Sequence, residues 1–296
     1  MALSARIILC FTSLSLLAAT ANRPLTPAEV LAQAPASAWA TVPAEDLVVI
    51  DLDSGRRVVL ALAPAFAPVH AANVRAMVRA GWFDGLTVNR VQDNYVTQWG
   101  DVTDAKPLPA GTVASPPAEY ERKLKGLAFH PLPYRDAYAV EAGHVGGWPA
   151  ASDGKSAWLV HCYGMVGVGR GLPPSTGTGG ELYTVIGHAP RHLDRNIATI
   201  GRVLIGMDAL TALPRGTEAL GFYKEGAPRP SMARVRLAAD MPAADRPSYQ
   251  LLSADAPTLG QWVTARANRQ DEFFIRPAGA VDICNAMPPV RETPNN

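Results

Sequence analysis

The chain is short of cysteine, aromatic residues and charge. It has three cysteines in 296 residues, Phe, Trp and Tyr together make up 7%, and charged residues make up 18%. Net charge is +1 and there is no basic run, which argues against a nucleic-acid partner. The few aromatics leave little surface for base stacking. There is no H-E-x-x-H, no G-x-S-x-G and no C-x-x-C, so the common zinc-protease, serine-hydrolase and dithiol patterns are missing. Gly177-Thr178-Gly179-Gly180 lacks the Lys of a phosphate loop, and no helix pattern follows Gly167-Val168-Gly169-Arg170-Gly171. His161-Cys162 with His144 matches no standard zinc spacing, and ordinary structural roles are expected for them. No metal and no cofactor is implied. No internal repeat is present, and beyond the N-terminus no apolar run is long enough to span a bilayer.

What is there is a globular composition, 48% hydrophobic. Arg6 precedes an apolar or small stretch from Ile7 to Ala21 that closes with Ala19-Thr20-Ala21, an A-x-A site. Residues 1–21 therefore read as a signal peptide, with a retained anchor as the alternative. The expected location is periplasmic or secreted, with no membrane contact after cleavage. Cys10 lies inside the apolar run, so the mature chain keeps only Cys162 and Cys284. In an oxidising compartment these two are expected to form a disulfide; buried free thiols and an intermolecular bridge are the other possibilities.

Residues 47–52 and 57–62 are β-rich and flank Asp53-Ser54-Gly55, a hairpin signal. A helix follows over 68–80: Val74, Met77 and Val78 share a face, Pro68 suits the first turn and Gly81 can end it. Strand signals recur over 87–91, 95–100, 164–168, 182–186, 198–204 and 232–238. Shorter helices are expected over 26–33, 206–213 and 258–269. Residues 101–161 read as loop. Many short strands with few helices predict a closed β-barrel capped at its ends.

The order of small motifs carries the functional signal. Val88-Asn89-Arg90-Val91 is followed by Tyr95, Gln98, Gly100 and Asp101, then Gly180-Glu181-Leu182-Tyr183, Leu193-Asp194 and Gly201-Arg202-Val203-Leu204-Ile205-Gly206-Met207-Asp208. This series resembles the cyclophilins, in which Phe-His-Arg, Phe-Met-x-Gln-Gly-Gly-Asp, Gly-Ser-Gln-Phe-Phe, Trp-Leu-Asp and Phe-Gly-x-Val-x-x-Gly-Met occur in that order. The resemblance implies a mainly β, cyclophilin-like closed antiparallel barrel capped by two helices. It would span residues 47–239, with an insert over about 102–163, an N-terminal extension over 22–46 and a C-terminal extension over 240–296 packed on the barrel.

It also implies a peptidyl-prolyl cis-trans isomerase acting on Pro-containing unfolded or flexible polypeptides, expected as a monomer. Arg90 and Gln98 would be catalytic. Tyr95, Val96, Tyr183, His192, Leu193 and Ile197 would line the substrate site, and Gly169, Arg170 and Gly171 would hold the peptide backbone. The plainer readings are an ion pair for Arg90, a structural hydrogen bond for Gln98 and barrel filling for Tyr95 and Tyr183. This sequence departs from the family at several points: Asn89 replaces a histidine, Val96 a methionine, Arg170 an asparagine, Glu181 a glutamine and His192 a tryptophan, and Ile197 stands where a histidine is common. The less aromatic pocket keeps open a non-catalytic module that binds Pro-containing segments as chaperone or adaptor.

Overall fold

The computed structural model describes residues 23–103 and 105–293. The apolar leader expected over residues 1–21 lies outside them. Eight strands form one curled antiparallel sheet: β1 (Leu47–Leu52), β2 (Arg57–Leu62), β3 (Val88–Gln92), β4 (Val96–Gly100), β5 (Met165–Val168), β6 (Glu181–Val185), β7 (Thr199–Ile205) and β8 (Met232–Leu237). Their order is β8-β1-β2-β7-β5-β6-β4-β3. The sheet curls until its two edges meet at one end. There Thr87 bridges Ser231, Val88 N–H donates to Pro230 O at 2.8 Å, and Met232 N–H donates to Leu86 O at 2.9 Å.

The barrel is filled by alternate residues of these strands, such as Val48, Ile50, Leu60, Trp99, Leu182 and Ile200. Two helices cap it. The helix Pro68–Arg79 adds Ala71, Val74, Met77 and Val78, and the short helix Met207–Thr211 adds Ala209 and Leu210. The expected strands and these helices appear within about two residues of their sequence positions.

β1 and β2 are apolar on both faces, the pattern of a strand covered on both sides. The outer cover is a three-stranded sheet of Trp39–Thr41, Tyr249–Leu252 and Val290–Glu292. Tyr249 and Leu251 pack there against Leu47, Val49, Val59 and Ala61. The two terminal extensions thus share one sheet. They also share a helix pair, since Pro27–Ala32 lies against Pro257–Ala267 in a cluster around Val30, Leu259 and Trp262. The Thr26 hydroxyl and Glu29 carboxylate cap the first of these helices reciprocally, a capping box.

The segment read as loop contains a five-stranded sheet instead. Its order is Arg122–Lys123, Ser156–Leu159, Trp148–Ser152, Glu141–Val145, Phe129–Pro131. Small residues (Ala142, Gly143, Ala150, Ala151, Ala157) fill its strands in place of β-branched ones, which hides the usual strand signal. Cys162 and Cys284 form a disulfide with their Cα atoms 5.0 Å apart, clamping the tail to the foot of this sheet.

His144 makes a second clamp. Its Nε2–H donates to Ala286 O at 2.7 Å, and burial lowers its pKa from 6.5 to about 4. The folded state therefore disfavours the charged ring. Its stabilising contribution is complete above about pH 6.5 and is lost as pH falls through about 4, because the unfolded chain takes up the proton first. A shift of this size corresponds to roughly 3 kcal/mol. Denaturant titrations at pH 7.5 and 4.5 should show a smaller pH effect in His144→Gln than in the parent, by roughly 2–3 kcal/mol. Equal effects in the two proteins would remove His144 from the acid response.

Candidate active site

β3, β4 and β6 set the site by register. Arg90 lies opposite Gln98, and Gln98 lies opposite Tyr183. Because strand residues alternate, these three face away from Val91, Trp99 and Leu182, which point into the barrel core. The row therefore lies on the outer face of the sheet. A register shift between Val88 and Arg90 accommodates Asn89. Asn89 is buried and hydrogen-bonded through both ends of its amide: it donates to Gly100 O at 2.7 Å and accepts from Thr87 and Arg229. It is part of the strand's fixing, at the place where the family carries histidine.

The Arg90 guanidinium is half-buried and held on three sides. Nε–H donates to Leu220 O at 2.6 Å, Nη1–H to Gln98 Oε1 at 3.2 Å, and Nη2–H to Gln92 Oε1. Its Cζ lies 5.4 Å from the Tyr95 ring centroid and 5.5 Å from that of Phe222. Three of its five N–H groups are thus used, leaving one on each terminal nitrogen without an acceptor among the described residues. Burial lowers the Arg90 pKa below the ordinary arginine value, opposed by Tyr95 and Glu181. No carboxylate forms an ion pair with it among the described residues, so the plain ion-pair reading does not describe this arginine.

Tyr95 ends the β3–β4 turn and stacks on His192, ring planes 5° apart and centroids 6.3 Å apart. Leu193 and Ile197 follow His192 along the chain and are half-buried. Val96 is buried between its strand partners Gln92 and Val185. Gly169, Arg170 and Gly171 continue from β5. Arg170 donates to Asn196 O and Gly171 O and lies over Tyr120, so its charge is turned onto neighbouring loops.

Tyr183 is buried to 4% exposure and lies flat over Gly167, where any Cβ would strike its ring. Its hydroxyl is 2.8 Å from His161 Nε2. His161 Nδ1 is 2.9 Å from Asp194 Oδ1. Asp194 pairs with Arg191, and Arg191 pairs with Asp136 at 2.9 and 3.0 Å. Burial raises the Tyr183 pKa well above its ordinary value, so the hydroxyl stays protonated. The floor of the site is therefore wired to the end of the insert by an ordered polar chain.

Sequence reading missed Gln92, the Leu220 carbonyl and Phe222 as partners of Arg90, and His161 as the partner of Tyr183. Gln92 sat in a segment read as turn. The Leu220 carbonyl and Phe222 lie about 130 residues beyond Arg90 and carry no local signal. For His161 a signal existed, since a histidine beside a disulfide cysteine at the end of the insert is poorly placed for solvent. Among the described residues no group of three His, Cys, Asp or Glu is arranged to hold a metal.

Fold and site together define a small β-barrel with a fixed arginine among aromatic rings on its outer face. The family profile of the cyclophilin type peptidyl-prolyl cis-trans isomerases matches residues 47–233. The chain belongs to that family. It is 26% identical over 175 residues to a probable peptidyl-prolyl cis-trans isomerase of Brucella suis, covering 59% of this chain and 74% of that protein. The Brucella abortus relative is 25% identical over the same length. The crystal structure of a cyclophilin from Hirschia baltica superposes with a TM-score of 0.66 at 22% identity, covering 86% of this chain and 93% of that one.

Proposed function

We propose that this protein isomerises peptidyl-prolyl bonds in exported polypeptides, with Arg90 as the catalytic group. The observation that carries the reading is the guanidinium held on three sides with an N–H to spare on each terminal nitrogen. Rotation about a peptide C–N bond must break its resonance, a barrier of about 18–20 kcal/mol. Both isomers of an X-Pro bond are populated, but they exchange in tens to hundreds of seconds. No nucleophile or proton transfer is needed, only tighter binding of the twisted amide than of the planar one. In the twisted form the prolyl nitrogen regains its lone pair and accepts a hydrogen bond. A fixed cationic donor aimed at that nitrogen stabilises this form alone.

Gln98 orients Arg90 from below, and Tyr95, His192, Leu193 and Ile197 supply the surface against which a proline ring rests. Gly169 to Gly171 run beside it as a backbone strip for the extended chain. The disulfide is in keeping with an oxidising, extracytoplasmic location. Among the described residues no helix is long and apolar enough to cross a membrane.

One observation favours the second reading, a non-catalytic binder of Pro-containing segments. Val96 and Tyr183 are both buried, so the recess they would line is shallow. NMR exchange spectroscopy on an Ala-Pro tetrapeptide separates the two. The expected result is catalytic line broadening of the cis and trans signals at substoichiometric protein. Peptide binding with an unchanged exchange rate would establish the binder instead.

A further inference from the structure

Among the described residues two arginines have buried side chains, and they are treated oppositely. Arg191, 4% exposed, is matched by two carboxylates, Asp136 and Asp194. Arg202, 7% exposed and on β7, is matched by none among the described residues. Its sole hydrogen bond there is Nη1–H to Pro288 O at 2.9 Å. Nε is buried without a partner, and Nη2 finds no acceptor among the described residues either. A guanidinium with donors to spare is the side chain best suited to hold a carboxylate. Burial lowers the Arg202 pKa to about 10, so the group is still a cation at neutral pH. An unpaired buried charge of this kind is costly, and a buried apolar side chain of the same length would avoid the cost.

Arg202 lines a cleft of about 620 Å³ between the barrel, the paired terminal helices and the disulfide-bonded tail. Leu31, Met207, Trp262 and Met287 give the cleft apolar walls. Arg266, with its guanidinium 5.0 Å from the Trp262 ring, adds a second positive charge. Among the described residues no Asp or Glu lines the cleft. None of the residues expected to meet a peptidyl-prolyl substrate lines it either.

We propose that this cleft is a binding site for a small carboxylate with an apolar body, its head at the Arg202 guanidinium and its body against Leu31, Met207, Trp262 and Met287. The positive, carboxylate-free lining selects an anion. The planar fork selects a carboxylate over a spherical ion, and the apolar walls select a ligand with a hydrocarbon part over a bare anion.

Isothermal titration of the disulfide-bonded chain with octanoate, octanol and inorganic phosphate tests this. Octanoate should bind saturably and at least about tenfold more tightly than octanol, with phosphate weaker than octanoate. Arg202→Met should abolish the preference for octanoate over octanol and should not lower the melting temperature of the ligand-free protein. Arg202→Lys keeps the charge without the fork and should bind octanoate more weakly than the parent. The proposal is overturned if the parent does not bind octanoate, if octanol binds equally well, or if a folded Arg202→Met variant keeps the preference. The comparison of octanoate with octanol on the parent decides the matter even if neither variant folds.

Discussion

Arg90→Ala is expected to lower kcat/KM for a Pro-containing peptide by roughly 10²–10³-fold, the usual loss when one preorganised donor to a transition state is removed. The fold should survive. Arg90 is a half-buried side chain on the outer face, and its strand is held by the ladder with β4 and by Asn89. The Gln92 and Gln98 amides and the Leu220 carbonyl lose a donor, and water can reach the space that the guanidinium vacates on this outer face. Arg90→Lys separates charge from geometry. An ammonium cannot serve three fixed acceptors and also present a donor to substrate in one plane. Its activity should lie close to that of the alanine variant. Both variants should still bind the peptide, because the aromatic surface is untouched. A folded Arg90→Ala protein that isomerises the peptide at the parental rate would exclude the mechanism.

The second large effect concerns stability. Replacing both Cys162 and Cys284 by Ala should destabilise the protein by about 2–4 kcal/mol. The bridge joins residues 122 apart, for which chain entropy alone gives roughly 4–5 kcal/mol, and measured effects usually fall short of that. For a chain of this size the melting temperature should drop by roughly 3–7 °C. Thermal unfolding followed by circular dichroism, parent against variant and parent against reduced parent, is the measurement. The reduced parent and the double variant should agree. A change of less than about 1 °C in both would mean that the tail is held by its other contacts, chiefly the shared sheet and the His144 clamp.

The sequence was most readable where function fixes local chemistry. The β1–β2 hairpin, the Pro68–Arg79 helix and the arginine-bearing strand all carry their signals within a few neighbouring residues. The insert sheet escaped because Ala142, Ala150, Ala151 and Ala157 are poor strand formers taken singly, and pack only because their neighbours are also small. The outer sheet escaped for a different reason. Trp39–Thr41 pairs with Tyr249–Leu252 across more than two hundred residues, so no turn announces it. A trace of it was present in β1 and β2, whose unbroken apolar runs require a cover on the second face. At the site, strand alternation placed Arg90, Gln98 and Tyr183 on one face. The acceptors that fix Arg90 could not be read in advance, since one is a main-chain carbonyl of a distant loop.

The tie between Tyr183 and His161 bears on how such chains can vary. The family motif has phenylalanine at the Tyr183 position, where a ring without a hydroxyl asks nothing of its surroundings. Here the hydroxyl is buried, and an isolated buried hydroxyl is unfavourable. His161, at the end of the insert, meets that requirement and is in turn oriented by Asp194. Each depends on the other: tyrosine without the histidine leaves a polar orphan, and histidine without the tyrosine is left at Nε2 with the longer contact to the Thr199 hydroxyl, 3.4 Å away. The two positions are therefore coupled, and an exchange at one should be tolerated better when the other changes with it.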